Sequence, residues 1–432
     1  MYQRLLLLLL CWAAGRSAQA QSCIGTRPAR HDSGGSTRGP KRIANLPRPL
    51  TASEGSLVQA DNRFTLTLFG QVAHRTRADS NVFVSPLSVA AALAMAYNGA
   101  GGVTLQEMQG ALNLQGMKLE EVNEGYRGLT TVLRDLDPAV CLRLANSVWY
   151  RPAFAATSSF LDATRTYFGA VVRSVDFAAA STAPTINAWV SDNTAGRITK
   201  IVPDLIPVDV NMYLVNAIYF KGMWSTPFDS SRTHPDVFHL ATGGTAMVPM
   251  MTSTGTAAVR IYRDAGVTVL DLPYGGGAFS MTIVLPPAPG GIDSLIRGLS
   301  DDRWRAWIGG LSPDRLFVSL PKFTMSSAAA LNATLGALGM QTAFCGPWTT
   351  DFTRLDPAGK TCITDVRQGA WVQVNEEGTE AAAATSAGIG FTSVPPRIVV
   401  DRPFLFAIRE RFSGAILFFG KVMNPANPAA PH

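Results

Sequence analysis

Charge is scarce in this sequence. Of its 432 residues, 16% are Asp, Glu, Lys or Arg, against roughly 25% in an average soluble domain. With 47% hydrophobic residues, that balance excludes disorder over most of the chain. Histidine is scarce too. His31 and His432 lie in the terminal segments, and His74, His234 and His239 in the body. No His-Glu-x-x-His, Cys-x-x-Cys or Gly-x-Ser-x-Gly occurs, so the common signatures of zinc hydrolysis, thiol redox chemistry and the nucleophile elbow are missing. Gly359-Lys360-Thr361 ends like a phosphate loop, but Arg354 stands where its first glycine belongs. His234 and His239 lack a nearby third ligand and fit surface histidines better than a metal site. Gly275-Gly276-Gly277, between two strand-like runs, reads as a hairpin turn rather than a nucleotide cradle.

The body also lacks a basic excess. The formal charge is +6, but Arg4, Arg16, Arg27, Arg30, Arg38, Lys41, Arg42 and Arg48 all precede residue 51, with Asp32 alone opposing them. Taking these from the totals of 37 and 31 leaves 29 basic against 30 acidic residues. A nucleic-acid domain carries its excess on one face, and none is available here. Long apolar runs are missing as well. Residues 5–15 form a run of about 11, too short for a membrane span of roughly 20. With Arg4 before it and Ala18-Gln19-Ala20 after it, residues 1–20 read as a secretory signal peptide, which predicts a secreted, extracellular or periplasmic protein. Lipidation at Cys23 is disfavoured by Gln21, where a small residue is preferred. Cleavage leaves Cys23, Cys141, Cys345 and Cys362. Cys345 and Cys362 are the nearest pair and suit a disulfide in an oxidising compartment; two unpaired core thiols are the alternative.

Residues 21–54, rich in Gly, Ser, Pro, Arg and Thr, read as a flexible basic arm. From Leu57 the period turns helical, through Phe64, Leu68, Phe69 and Val72. A second, alanine-rich helix is predicted from Ser88, as its cap, to a stop near Gly99. Strand-like runs follow at 142–150, 212–220, 267–274, 279–285, 315–325, 404–409 and 415–422. Several are apolar on both parities, as in a sheet covered on both faces. No long linker or repeat interrupts residues 55–425, so 55–432 reads as one α+β domain.

The segment 375–396 follows a strand and precedes two more, and structureless stretches of this length are usually functional. Between Gly378 and Val394 it has no proline and one charge, Glu380, so nothing in it forbids strand pairing. As a strand, Thr379, Ala381, Ala383, Thr385 and Ala387 share one face, small and uncharged, while Glu380, Ala382, Ala384, Ser386 and Gly388 share the other.

Several motifs, in order, resemble the serpin family. They are Asn81-Val82-Phe83-Val84-Ser85-Pro86-Leu87-Ser88, Leu144-Ala145-Asn146-Ser147-Val148-Trp149, Asn216-Ala217-Ile218-Tyr219-Phe220-Lys221-Gly222-Met223-Trp224, Leu320-Pro321-Lys322-Phe323, Val374-Asn375-Glu376-Glu377-Gly378-Thr379, and Asp401-Arg402-Pro403-Phe404 with Phe419-Gly420-Lys421-Val422-Met423-Asn424-Pro425. The resemblance implies a metastable fold of three β-sheets and about nine helices, with an exposed reactive-centre loop at about 377–396. It implies a serine protease inhibitor, not an enzyme, with no cofactor. The inhibitor is a suicide substrate whose partner is a target protease held as a covalent acyl complex.

The resemblance also assigns residues. The hinge Glu376, Glu377, Gly378, Thr379, Glu380, Ala381, Ala382, Ala383, Ala384 and Thr385 fits the inhibitory pattern; a non-inhibitory carrier or chaperone is the alternative. Family register and Ser393-Val394-Pro395-Pro396 both set the reactive bond at Thr392–Ser393, with Phe391 as runner-up. Threonine there suits elastase-like or subtilisin-like proteases, and phenylalanine a chymotrypsin-like one. Lys322, Trp224 and Glu376 would form the breach, and Ser85, Ser88 and Asn216 the shutter, where Gln368 replaces the family's usual histidine. Lys118, Arg127 and Arg134 are opposed by Glu120, Glu121 and Glu124, which predicts no strong glycosaminoglycan binding. A monomer is expected.

Overall fold

Helix α1 (Ala52–Arg75) begins where the sequence supplies a capping box. The Thr51 hydroxyl accepts from the Glu54 N–H at 3.2 Å, and the Glu54 carboxylate accepts from the Thr51 N–H at 2.8 Å. The helix thus starts five residues before Leu57, and the predicted boundary at residue 55 falls inside it. The structure, a computed structural model, describes residues 40–253, 255–347, 349–359, 361–379 and 396–427. The predicted signal peptide and most of the predicted basic arm lie outside these residues. The described end of the arm, from Pro40, is packed down. Ile43, Leu46 and Leu50 lie on the core, the Ile43 N–H donates to the Gly276 carbonyl at 2.8 Å, and Arg48 clasps both oxygens of Glu54 at 2.6 and 2.7 Å. Three apolar residues scattered among Arg and Pro carry no periodic signal, and they still suffice to anchor the segment.

Among the described residues eight further α-helices follow: α2 (Pro86–Tyr97), α3 (Gly102–Ala111), α4 (Leu119–Arg134), α5 (Ser158–Phe168), α6 (Thr182–Asn193), α7 (Ile292–Arg297), α8 (Asp301–Gly310) and α9 (Asn332–Ala337). Helix α2 starts at Pro86, whose fixed φ suits a first turn, so Ser88 sits inside the helix instead of capping it. Almost every α2 side chain is buried, because the helix packs against strands and against neighbouring helices, α1 above all.

The strands form three sheets. The largest runs in the order β1 (Val82–Val84), β16 (Ile416–Val422), β15 (Phe404–Glu410), β9 (Phe279–Leu285), β8 (Val267–Tyr274), β7 (Ala257–Asp264), β10 (Ser312–Pro321), β6 (Thr245–Thr252) and β5 (His234–His239), with β14 (Arg397–Val399) beside β10. The second is β13 (Gly378–Thr379), β4 (Met212–Met223), β2 (Val140–Tyr150) and β3 (Val171–Ser174). The third is β11 (Phe323–Ala330) with β12 (Arg367–Val374). The run predicted as one strand at 315–325 is two, because the chain changes sheets at Lys322. Gly275-Gly276-Gly277 is the predicted hairpin turn, between β8 and β9, with φ of +51° at Gly275 and +92° at Gly277. A Cβ at Gly276 would stand 2.3 Å from the Lys41 carbonyl, so the N-terminal segment can dock there because the residue is glycine.

Strands β4 and β12 are neighbours, yet no ladder joins them, and the short β13 bridges the top of the seam. Even-numbered β4 residues such as Ile218 and Phe220 face the main core under α2. Tyr213, Val215 and Ala217 face a second core with Ile186 and Val190 of α6.

Candidate functional site

The top of the seam is built by residues from four segments. Trp224 closes β4, stacks on Tyr274 with ring centroids 4.4 Å apart, and donates its indole N–H to the Asn375 carbonyl at 2.9 Å. Its backbone N–H donates to the Glu377 carbonyl, and that of Phe228 to the Glu376 carbonyl, each at 2.7 Å. Lys322 reaches the Glu376 carboxylate from the β10–β11 switch point. The Thr233 hydroxyl donates to the same carboxylate at 2.7 Å, a contact that residue spacing did not signal because Thr233 lies 143 positions away. Burial works against the Glu376 carboxylate, and the Lys322 and Thr233 hydrogen bonds outweigh it, so the group titrates below its usual range. Burial and the neighbouring Glu376 push Glu377 the other way.

Two predicted hinge residues are already strand. Gly378 pairs with Met223 and Thr379 with Gly222, so these two residues of the predicted loop lie against β4. At Gly378 φ is +146°, and a Cβ there would stand 2.0 Å from the Gly222 carbonyl, which restricts the position to glycine. Glu380, Ala381, Ala382, Ala383, Ala384, Thr385, Phe391, Thr392 and Ser393 lie outside the described residues.

Lower down, the four shutter candidates divide. Ser88 donates its hydroxyl to Asn216 Oδ1, Asn216 Nδ2 donates to Asn146 Oδ1 at 2.6 Å, and Asn146 Nδ2 donates to the Phe168 carbonyl at 2.8 Å. Ser85 stands apart and donates to the Leu417 carbonyl at 2.9 Å. Gln368 is 3% exposed, and neither amide atom has a hydrogen-bond partner among the described residues. It lines a cavity of about 340 Å³ under the seam, with Met212, Leu214 and Asn216 of β4, Thr364 and Val366 leading into β12, and Ala92 and Leu93 of α2.

Cys345 and Cys362 are joined as a disulfide beside this cavity. Asn332, in the sequon Asn332-Ala333-Thr334, donates to the Thr364 carbonyl and accepts from the Val366 N–H, each at 2.8 Å, so its amide ties α9 to the lead-in of β12. Among the described residues no group of three or more His, Cys, Asp or Glu is placed to hold a metal ion, and no helix is long and apolar enough to cross a membrane.

A family model described as serpin (serine protease inhibitor) matches residues 59–425. The chain belongs to the serpin family. Serpins are protease inhibitors rather than enzymes. This serpin is 34% identical to the leukocyte elastase inhibitor of Bos taurus over 85% of its own length and 99% of the relative's. Among solved structures it is similar to the thermophilic serpin tengpin in the native state, at a TM-score of 0.77 and 28% identity, covering 90% of this chain and 97% of that one. It is also similar to human thyroxine-binding globulin, at a TM-score of 0.78 and 30% identity, covering 87% and 100%. The three sheets and nine helices of the described residues match serpin structures.

Proposed function

We propose that this serpin inhibits an elastase-like or subtilisin-like serine protease as a suicide substrate, cleaved at Thr392–Ser393. The observation that carries the reading is register. Gly378 pairs with Met223 on the β4 side and bridges Asn375 on the β12 side. Continued at those two registers, a strand from residue 380 would set Ala381 between Phe220 and Val372, Ala383 between Ile218 and Ala370, and Thr385 between Asn216 and Gln368. Ala387 would fall between Leu214 and Val366, over the cavity. The small uncharged face of the segment would thus meet the buried face of the seam, and Glu380 would fall opposite Lys221. A new central strand adds about ten backbone hydrogen bonds at about 0.5–1.5 kcal/mol each. That sum rivals the roughly 5–15 kcal/mol holding a protease together, enough to distort an acyl-enzyme dragged along by the loop.

Threonine before the bond supports a shallow specificity pocket, as does the name of the bovine relative. The Cys345–Cys362 disulfide supports export to an oxidising compartment after removal of residues 1–20.

The test is incubation with elastase, subtilisin and chymotrypsin, followed by denaturing electrophoresis and mass spectrometry. The expected result is a stable protease adduct with a released peptide beginning at Ser393; a peptide beginning at Thr392 moves the bond to Phe391. Thr392→Arg is expected to transfer adduct formation to trypsin. Full cleavage with no adduct and no gain in thermal stability overturns the reading in favour of a carrier, the role that the name thyroxine-binding globulin gives that neighbour.

A further inference from the structure

Cys141, the second residue of β2, is disulfide-bonded, and its partner is neither of the other described cysteines, because Cys345 and Cys362 are joined to each other. We infer that Cys141 pairs with Cys23, so that the N-terminal arm of the mature chain is stapled covalently to the body and Cys23 is closed to lipidation. The inference rests on the export reading above and not on the inhibitory mechanism.

The first argument is elimination. The sequence has five cysteines, and Cys11 leaves with residues 1–20 when a signal peptide is removed. What remains for Cys141 is Cys23 or a second copy of the chain. Geometry favours Cys23. Cys141 is half-buried and has the opposite parity from Val140 and Leu142, which belong to the main core, so it stands on the other face of β2. Just before it the chain passes Asp137, whose carboxylate accepts from the Ala139 N–H at 3.0 Å and from the Gly276 N–H at 2.8 Å. Gly276 is also the residue under the strap, in contact with the Lys41 carbonyl and hydrogen-bonded to Ile43. The described part of the arm therefore enters the fold beside the start of β2. From Lys41 back to Cys23 is 18 positions, which span up to about 60 Å when extended, so reach sets no limit. Two groups joined by a short linker meet at about millimolar effective concentration, well above that of a second copy in dilute solution.

The bond forms by thiol–disulfide exchange. The Cys141 thiolate attacks a disulfide of the exporting compartment, carried by a dithiol oxidoreductase or a low-molecular-weight disulfide, and displaces one of its sulfurs. The Cys23 thiolate then attacks the Cys141 sulfur of the mixed disulfide and displaces the other. Two electrons pass to the oxidant, which takes up the two thiol protons. Two consequences follow for the arm. A lipid thioether needs the same Cys23 sulfur, so the stapled chain is released rather than anchored. A proteolytic cut after Arg30 leaves the severed piece on the body.

The full chain is collected into N-ethylmaleimide without reductant and digested with trypsin, and the peptides are weighed by mass spectrometry. The expected result is peptide 21–30 joined to peptide 135–143, the two separating on reduction, from a protein that runs as a monomer in non-reducing electrophoresis. Cys23→Ala should leave one thiol per chain open to the maleimide after denaturation, at Cys141, with the Cys345–Cys362 bond unchanged; the wild-type digest decides without any variant. Maleimide on both Cys23 and Cys141 of the wild type overturns the pairing, and the Cys345–Cys362 bond in the same digest tells why. If that bond is closed, the staple alone fails; if it is open, the export reading falls with it. A non-reducing dimer joined through two copies of peptide 135–143, or a lipid thioether on Cys23, also overturns the pairing.

Discussion

Lys322 Nζ stands 3.0 Å from Oε1 of Glu376 and 2.9 Å from its Oε2, so one ammonium spans both carboxylate oxygens at the top of the seam. Because Glu376 lies two residues before Gly378, this pair fixes where β13 begins and hence the register in which any longer strand would enter.

Glu376→Gln keeps the shape and removes the charge. An acid whose folded pKa is depressed contributes stability that is complete above its unfolded pKa and lost as pH falls through the folded value. The wild-type midpoint should therefore drop below the ordinary glutamate value of 4.5. The variant should lose that part of the acid sensitivity and be weaker by about 1–2 kcal/mol at pH 7. Scanning fluorimetry from pH 3 to 7 reads both; identical profiles would show that the pair contributes nothing.

Thr385→Arg tests the register. In the proposed inserted strand this position would fall between Asn216 and Gln368, and an arginine there would have to enter a buried seam unpaired. Cleavage should proceed at the wild-type rate while adduct yield falls by about tenfold or more. Ser386→Arg, on the other parity, should be less harmful under the same electrophoretic assay, and a reversed order would mean that the strand enters one residue out of step.

Asp61, on α1, is buried and accepts a hydrogen bond from the Tyr126 hydroxyl of α4 at 2.9 Å, while its second oxygen has no partner among the described residues. Burial pushes its carboxyl up to about 7, against the opposing effect of the Tyr126 hydrogen bond. A raised acid favours folding while protonated, so stability is lost as pH rises from its ordinary value of 3.8 to about 7. Asp61→Asn should be more stable than the wild type at pH 8 and flatter across that interval in chemical denaturation. A variant less stable at pH 8 would show that the charged form is accommodated.

Cys345 and Cys362 lie 17 positions apart, and replacing both by alanine should cost about 3 kcal/mol in the chain-entropy view. Urea unfolding of the double variant measures this, and an unchanged midpoint would mean that the packing of Phe352 and Leu355 already holds the segment.

The breach was legible because Trp224, Lys322 and Glu376 sit in short motifs that keep their order along the chain. Thr233 was not, since a lone threonine far away in sequence carries no pattern until the fold brings it to Glu376. The double-parity apolar runs announced buried strands, but periodicity is blind to a change of sheet, so the break at Lys322 went unseen. Gln368 stands out in the sequence as a departure from the family's histidine, and its lack of a partner shows only in the packing of β12 against β4 and α2. The tether around Ile43 and Arg48 was hidden by composition, because residues that look disordered in bulk can still supply three well-spaced anchors.

That tether has a practical bearing on how fragments of the protein should be cut. A piece trimmed to the family-matched span would begin at residue 59, inside α1. It would discard the Thr51 cap, the Arg48–Glu54 clasp, the buried Leu57 and Val58, and the strap over the Gly276 turn. Such a piece should be prone to aggregate on expression, whereas one starting at Pro40 keeps the fastening and leaves a free end for a purification tag.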